Sequence, residues 1–142
     1  MRITIVAQGR KPDRETASLC DEYIRRSRTM VPIELVVCTT AKQQWERAAA
    51  CGGPIVVLDE RGELWTSPAL AARIGHWRDG GTRQLACLIG GADGFSDDER
   101  ARADAVLSLS RMTLPHRLAQ VVLCEQLYRA GTILAGHPYH HG

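Results

Sequence analysis

The stretch from Ala105 to Ala130 reads AVLSLSRMTLPHRLAQVVLCEQLYRA, and its hydrophobic period changes partway. Residues 106–109 form a short, mostly apolar run, which predicts a strand, whereas apolar residues from Leu118 onward recur every three or four positions, which predicts a helix. Pro115 suits the first helical turn, because its φ is already helical and the N–H that it lacks would have no partner there. The stretch therefore predicts a strand, a loop and a helix whose first N–H groups face the loop.

The apolar residues of this last helix are spread around much of its circumference. They are Leu118, Val122, Leu123, Leu127, Ala130 and Leu134. One face of a sheet covers a narrower stripe than this, so a second covering surface is expected, for example a partner chain. A helix that simply packs within its own chain is the alternative.

The preceding residues alternate between strand and helix patterns. Strands are predicted at 2–8, 33–38, 54–59 and 83–89, and residues 59–62 are predicted to form a turn. Helices are predicted to follow Asp13 as N-cap, to span 41–51, to begin at Ser67 as N-cap, and to open with a capping box at Ser96–Glu99. The order βαβαβαβαβα predicts an α/β fold with a mainly parallel sheet and helices on both faces. A chain of 142 residues fits a single domain, 1–142.

Composition excludes several classes of protein. Hydrophobic residues make up 44%, no apolar run approaches the roughly 18 residues of a membrane span, and residues 1–4 lack a signal-peptide pattern, so a soluble, cytoplasmic protein is expected. The five cysteines are odd in number and contain no C-x-x-C pair, which disfavours a disulfide framework or a zinc site.

The basic residues concentrate near the N-terminus. Residues 1–50 hold nine Lys and Arg against six Asp and Glu, whereas residues 51–142 hold nine against ten. Only Lys11 and Lys42 are lysines, and the planar fork of arginine suits phosphate. A general bias towards arginine is the alternative explanation.

Three predicted strand ends, at residues 58–59, 89–91 and 109–114, contain residue types that suit ligand binding, namely an aspartate, two glycines and a polar loop between leucines. Ligands of open α/β sheets bind beyond the carboxyl ends of strands, so these ends are expected to form one pocket. Glycines allow close backbone approach, and the leucines with Met112 offer apolar surfaces for a flat, adenine-like group.

Three further patterns leave alternatives open. The G-G-x-x-G at 90–94 lacks the full dinucleotide spacing, and a tight turn before the capped helix explains it equally well. His116, Glu125 and Tyr128 on the last helix are candidates for a catalytic set, with a capping or packing role for His116 as the alternative. The tail at 137–142 has three histidines around Tyr139, which favours stacking on an unpaired base over metal binding, with a disordered end as the alternative.

Five blocks taken together closely resemble the RlmH (YbeA-like) family of SPOUT-class methyltransferases, which act on large-subunit ribosomal RNA. They are LDERG (58–62), LIGGADG (88–94), SLSRMTLPH (108–116), EQLYRA (125–130) and HPYH (137–140). They occur in order over nearly the whole chain, and the block at 108–116 with its distant tail is far more specific than a glycine pattern alone.

The resemblance implies S-adenosyl-L-methionine as methyl donor, a C-terminal trefoil knot, a homodimer, no metal, and methylation of N3 of a pseudouridine in helix 69 of 23S ribosomal RNA, free or in the assembled ribosome. The matched donor-binding positions are Leu58, Gly90, Leu109, Ser110, Arg111, Met112, Thr113 and Leu114. The matched RNA-binding positions are His137, Tyr139 and His140. Tyr139 and His137 are the candidates for removing the N3 proton, and the residues themselves do not choose between them.

One departure from the family is visible, because the segment between the second and third strands looks shorter than usual. Residues 42–51 are therefore expected to offer less RNA-contacting surface. A non-catalytic nucleotide- or RNA-binding module is the alternative function. A nicotinamide-dependent oxidoreductase is disfavoured, since the first β-α unit lacks the dinucleotide fingerprint.

Overall fold

The computed structural model describes residues 1–141 and alternates strand and helix throughout. Its strands are β1 (Arg2–Gln8), β2 (Ile33–Cys38), β3 (Ile55–Leu64), β4 (Gln84–Ile89) and β5 (Ala105–Ser108). Its helices are α1 (Arg14–Arg26), α2 (Ala41–Ala50), α3 (Ser67–Asp79), α4 (Asp97–Arg102) and α5 (His116–Ala135). The predicted order of elements is confirmed.

All five strands lie in one sheet in the order β2-β1-β4-β3-β5, and every neighbouring pair is parallel. Parallel strands point the same way, so their carboxyl ends meet at one edge of the sheet. The predicted parallel sheet is confirmed, and β1 and β4 are revealed as neighbours in its centre.

Helices cover both faces of the sheet, as predicted. On one face α1, α3 and α5 pack over Ile3, Ile5 and Leu85. On the other face α2 packs over Val6, Val57 and Leu88, together with the ring of Phe95. Two apolar layers therefore enclose the central strands, and burial of their apolar surface is the main stabilising term.

Helix α5 lies in the middle of the first layer, which corrects one expectation. Leu123 and Leu127 are 0% and 1% exposed within the single chain, because α1 and α3 both pack against α5. The second covering surface is therefore supplied by the same chain, and the helix pattern alone does not require a partner. Leu118, by contrast, remains 47% exposed.

Two predicted helix starts are one residue off. Pro115 is the N-cap of α5, with φ −54° and ψ 146°, and is not in the first turn; its carbonyl accepts a hydrogen bond from the Ala119 N–H at 3.0 Å. Thr66 caps α3 in place of Ser67, because the Thr66 hydroxyl accepts from the Ala69 N–H at 3.1 Å. The caps at Asp13 and Ser96 are confirmed.

The turn predicted at 59–62 is wrong, because β3 continues to Leu64. β3 pairs with β5 up to Leu58, then shifts register and resumes pairing at Glu63. Gly62 allows this, since a Cβ there would lie 2.5 Å from the carbonyl oxygen of Val106. The residues Asp-Glu-Arg-Gly therefore make an irregular, bulged strand that keeps contact with β5.

Candidate functional site

A cleft of about 770 Å³ lies at the carboxyl edge of the sheet. It is lined by the loops after β1, β4 and β5, by the bulged part of β3 at residues 58–61 and by the start of α5. The three strand ends expected to form one pocket therefore do so. Of the eight matched donor positions, seven line this cleft: Leu58, Gly90, Leu109, Ser110, Met112, Thr113 and Leu114. The eighth, Arg111, instead directs its Nη1 to the Glu60 carbonyl oxygen at 3.2 Å.

Hydrogen bonds within the loop after β5 fix its shape. The Ser108 hydroxyl donates to the Ser110 carbonyl at 2.9 Å, and the Met112 N–H donates to the Ser110 hydroxyl oxygen at 3.0 Å. The Thr113 hydroxyl donates to the Glu60 carboxylate at 2.8 Å. The loop is thus tied both to itself and to the bulge of β3, which leaves Met112 78% exposed.

The glycine segment after β4 is a tight turn that also lines the cleft. The Gly94 N–H donates to the Gly91 carbonyl at 3.0 Å, and Gly94 has a φ of +66°, which favours glycine. A Cβ at Gly90 would lie 3.0 Å from the Phe95 ring. The tight turn was one of the two explanations that the sequence left open for this segment, and it applies here.

A nearly buried carboxylate joins this turn to β3. The Asp59 side chain is 5% exposed and accepts hydrogen bonds from the Arg61 backbone N–H at 2.9 Å and the Arg61 Nε at 3.1 Å. Burial raises the pKa of Asp59, but these hydrogen bonds and the charges of Arg61 and Arg100 outweigh it and lower that pKa. Asp59 is therefore ionised near neutral pH.

Arg100 completes this connection from α4. Its Nη1 lies 3.5 Å from the Asp59 carboxylate and 2.5 Å from the Phe95 carbonyl oxygen, and its Nη2 pairs with Asp97. One guanidinium therefore contacts the end of β3, the end of the 90–95 turn and the first turn of its own helix. A bond network of this kind holds two walls of the cleft at a fixed separation.

Sequence reasoning missed the contribution of the first strand. Gln8, Gly9 and Lys11 line the cleft because β1 pairs directly with β4. The side chain of Gln8 also packs against Gly91, where an added Cβ would lie 3.2 Å from it. No local pattern shows that the first and fourth strands are neighbours, so the loop after β1 was not assigned to the pocket.

His116 lines the cleft at the start of α5, whereas Glu125 and Tyr128 do not. The candidate catalytic set is therefore not assembled in this chain. His116 Nδ1 lies 3.1 Å from the Gln120 side-chain nitrogen. Burial lowers the pKa of His116, and a backbone contact with Gln8 only partly opposes this. A neutral imidazole with these neighbours fixes the start of α5 against the loop after β1.

Gln44 on α2 supports the strands that carry the cleft loops, and the sequence analysis did not identify it. It is 0% exposed on α2, and its side-chain nitrogen donates to the carbonyl oxygens of Val6 at 2.8 Å and Ile89 at 2.9 Å. Ile89 is the last residue of β4, and Val6 lies two residues before the end of β1, so both carbonyls are close to the cleft loops. A glutamine on the buried side of an otherwise apolar helix face was the available signal.

The C-terminal tail folds back onto α5 and does not line the cleft of its own chain. The His137 N–H donates to the Thr132 carbonyl at 2.9 Å, after Gly136 turns the chain with a φ of +71°. The Tyr139 ring contacts Tyr128 with ring centroids 4.7 Å apart. The tail as far as residue 141 therefore has a definite conformation.

Arg129 holds the tail through two residues. Its guanidinium carbon lies 4.9 Å from the centroid of the Tyr139 ring, and its Nη1 lies 3.0 Å from His140 Nδ1. Arg129 itself is positioned by Glu125 at 2.7 Å. Burial raises the pKa of Tyr139, and the negative charge of Glu125 adds to that effect. The phenol is therefore protonated at neutral pH.

Among residues 1–141, no group of three or more His, Cys, Asp or Glu side chains is placed to hold a metal ion. All five cysteines are free thiols, and burial raises the pKa of Cys87 to about 12. Within the same residues, no helix has the length and apolarity needed to cross a membrane.

A family model described as a predicted SPOUT methyltransferase matches residues 1–140. The overall fold also resembles a solved probable methylase family protein from Haemophilus influenzae Rd KW20, with a TM-score of 0.56 at 12% identity over 99% of this chain and 70% of that one. The fold and the cleft thus define a SPOUT methyltransferase.

Relatives along the whole length identify the family within this class. A ribosomal RNA large subunit methyltransferase H from Anaeromyxobacter sp. strain Fw109-5 is 45% identical, with 99% of both chains covered. A protein of the same name from Hyphomonas neptunium is 43% identical with the same coverage. The chain belongs to the ribosomal RNA large subunit methyltransferase H family, so the resemblance and the class of enzyme are confirmed.

The support from Gln44 can be tested by substitution. Gln44→Leu leaves two buried carbonyl groups without their donor, so we expect a loss of about 1–3 kcal/mol in the free energy of unfolding. We also expect weaker S-adenosylmethionine binding, because the loops after β1 and β4 lose their common anchor. Urea unfolding and calorimetry measure the two effects.

Glu46→Leu is the matched control for this substitution, since Glu46 is exposed on the same helix. We expect this control to change the free energy of unfolding by less than about 0.5 kcal/mol. A Gln44→Leu protein with wild-type stability and donor affinity would show that the two hydrogen bonds do not support the cleft.

Proposed function

We propose that this chain transfers a methyl group from S-adenosyl-L-methionine to N3 of a pseudouridine in helix 69 of 23S ribosomal RNA, in the cytoplasm. Membership of a ribosomal RNA methyltransferase family supports the reaction class. The observation that carries the proposal is the cleft, where seven of the eight matched donor positions come together. Residues 1–142 act as one SPOUT domain in this proposal.

The chemistry of the cleft suits the donor. Leu58, Leu109, Met112 and Leu114 offer apolar side chains for a flat purine, and the backbone of residues 110–113 offers N–H and C=O groups for its polar edges. Gly90 leaves room for close approach. The Asp59 carboxylate and its arginines keep the surrounding loops in place, so the protein loses little conformational freedom on binding.

S-adenosyl-L-methionine carries its methyl group on a sulfonium, which activates that group before it binds. The task left to the protein is to hold N3 in line with the methyl and to favour loss of the N3 proton. Holding the acceptor in line accounts for most of the rate in this proposal. Tyr139 and His137 remain the candidates for accepting the N3 proton, and neither lines the cleft of its own chain.

We infer a homodimer in which the tail of one copy meets the cleft of the other. Leu64, Met112 and Leu118 are 55%, 78% and 47% exposed, and large apolar side chains left in water favour association. A cavity of about 290 Å³ beside these residues, between Trp65 and Val122, offers a place for a partner's side chain. The separation of the tail from its own cleft supports the same arrangement.

We also infer the trefoil knot of the family. β5 lies at one edge of the sheet, whereas α5 contacts β4 in the middle, so residues 109–115 have to cross the end of β3. The Thr113 to Glu60 hydrogen bond joins that crossing to the bulge of β3. In such a knot the chain returns through the loops of its own sheet, which is one of the rare exceptions to unknotted topology.

Labelled methyl transfer to ribosomes that lack the modification, followed by nucleoside mapping, tests the reaction itself. A methyl group on N3 of the pseudouridine is the expected result. The alternative function is a nucleotide- or RNA-binding module that uses the same cleft without catalysis. Binding of donor and RNA with no transfer, to ribosomes or to free ribosomal RNA, would select that alternative.

Donor binding is expected to depend on the backbone of the loop after β5. Thr113→Pro removes an N–H and imposes a ring, so we expect the donor affinity to fall by about 1–3 kcal/mol in calorimetry. Thr113→Val is the control, because it keeps the N–H and loses only the hydroxyl that contacts Glu60. Unchanged affinity in a folded Thr113→Pro protein would remove this loop from the donor site.

Deletion of residues 137–142 is expected to separate donor binding from catalysis. Donor affinity should stay nearly unchanged, because the matched donor positions all lie between 58 and 114. Methyl transfer should fall about a hundredfold, since a misplacement of about 1 Å at the acceptor has a cost of that order. In a second variant, Tyr139→Phe, retained activity indicates stacking and lost activity indicates a role for the hydroxyl. Wild-type transfer by the truncated protein would exclude the tail from the site.

The dimer is expected to depend on Leu118. Leu118→Asp places a carboxylate in an apolar contact, so sedimentation should show a monomer, whereas the wild-type chain should remain a dimer at micromolar concentration. Leu19→Asp is the matched control, because Leu19 on α1 is 46% exposed and Leu118 is 47% exposed. A monomeric wild type, or equal dissociation of the two variants, would contradict this interface.

A further inference from the structure

A second groove, of about 1040 Å³, lies between α1 and the edge strand β2. It continues directly from the cleft, because Gly9, Arg10, Lys11 and Pro12 line both. A ligand seated in the cleft can therefore extend over residues 9–12 into the groove without leaving the protein surface.

The groove has an apolar floor and a basic rim. Ile24, Leu35 and Val37 contribute the floor, and all three are partly exposed and uncharged. The cations that line it are Arg2, Arg10, Lys11 and Arg28, and the anions are Asp21 and Glu34. This arrangement suits a chain whose flat apolar groups face inward and whose charges are negative.

Most of the positive charge in the groove is unneutralised. Glu34 lies 3.9 Å from Arg2 and 3.6 Å from Arg47, so its charge is already balanced. Arg10, Lys11 and Arg28 are exposed, and within residues 1–141 none of the three takes part in an ion pair. Asp21 is the remaining anion. The basic excess at residues 1–50 is thus placed partly in this groove.

We propose that this groove binds the phosphate backbone of the unpaired nucleotides adjacent to the one that is methylated. Phosphates would pair with Arg10, Lys11 and Arg28, and bases would lie on the apolar floor, which is how unpaired RNA is generally held. The inference rests on the proposed function, since the target nucleotide has to meet the donor at the cleft. It also assigns an RNA-binding role to part of the basic excess at residues 1–50.

Arg28 is the residue to test, because it lines the groove and not the cleft. The probe is a fluorescent, unmodified stem–loop RNA with the sequence of helix 69. Arg28→Glu should bind this RNA more weakly than the wild type, with a log–log salt slope shallower by about one unit. The ratio of the wild-type RNA affinity to that of Arg28→Glu should therefore decrease about threefold to fourfold as the salt concentration rises from about 50 to about 200 mM.

Arg25→Glu is the matched control, since Arg25 is exposed near the end of α1, three residues before Arg28, and lines neither cavity. It should retain the wild-type salt slope. Donor affinity should be the same in all three proteins, which excludes misfolding as the cause of lost RNA binding. In transfer assays, KM for the RNA should rise in Arg28→Glu while kcat stays unchanged.

The outcomes separate this proposal from the proposed function. Equal RNA affinity and equal salt slope in Arg28→Glu and the wild type would contradict RNA binding in the groove. Equal losses of RNA affinity in Arg28→Glu and Arg25→Glu would also contradict it. A wild type that does not bind the RNA at all would also overturn it. RNA binding that depends on Arg28 without any methyl transfer would support RNA binding in the groove and contradict the proposed methyl transfer.

Discussion

Parallel pairing of β1 with β4, and of β4 with β3, is the constraint on which the rest of the structure depends. It brings the carboxyl ends of strands that are distant in sequence to one edge, where their loops form the cleft. The central strands β1, β4 and β3 have a neighbour on both sides that pairs with their backbone groups, so beyond their ends the loops carry the free donors and acceptors. A ligand is therefore bound where regular pairing stops.

Beyond the ends of the strands, hydrogen bonds from polar side chains fix the positions of the loops. Gln44 donates to carbonyl groups near the end of β1 and at the end of β4, and Arg100 connects Asp59 with the turn after β4. Both are largely shielded from water, where hydrogen bonds are strong and unpaired groups are costly. The cleft is thus built on apolar layers but is shaped by a few buried polar contacts.

The bulge of β3 links the sheet to the loop after β5. Close contact between Gly62 and the backbone of Val106 keeps the two strands together past the register shift, which brings Glu60 within reach of Thr113. A side chain at position 62 would push the strands apart. The missing side chain of Gly62 therefore allows residues 59–62, predicted to form a turn, to continue as a bulged strand that supports the site.

The sequence alone determined the alternation of strands and helices, the parallel sheet and the strand ends that form the cleft, because periodicity, caps and the block at 108–116 are local signals. It also determined the family, since the matched blocks run in order along the chain. Only the tertiary structure decided that Gln8 and Gln44 belong to the cleft, that α1 and α3 cover Leu127, and that Tyr139 packs on Tyr128. These contacts join residues that are distant in sequence, and their partners follow from strand order and helix packing, which no local pattern encodes.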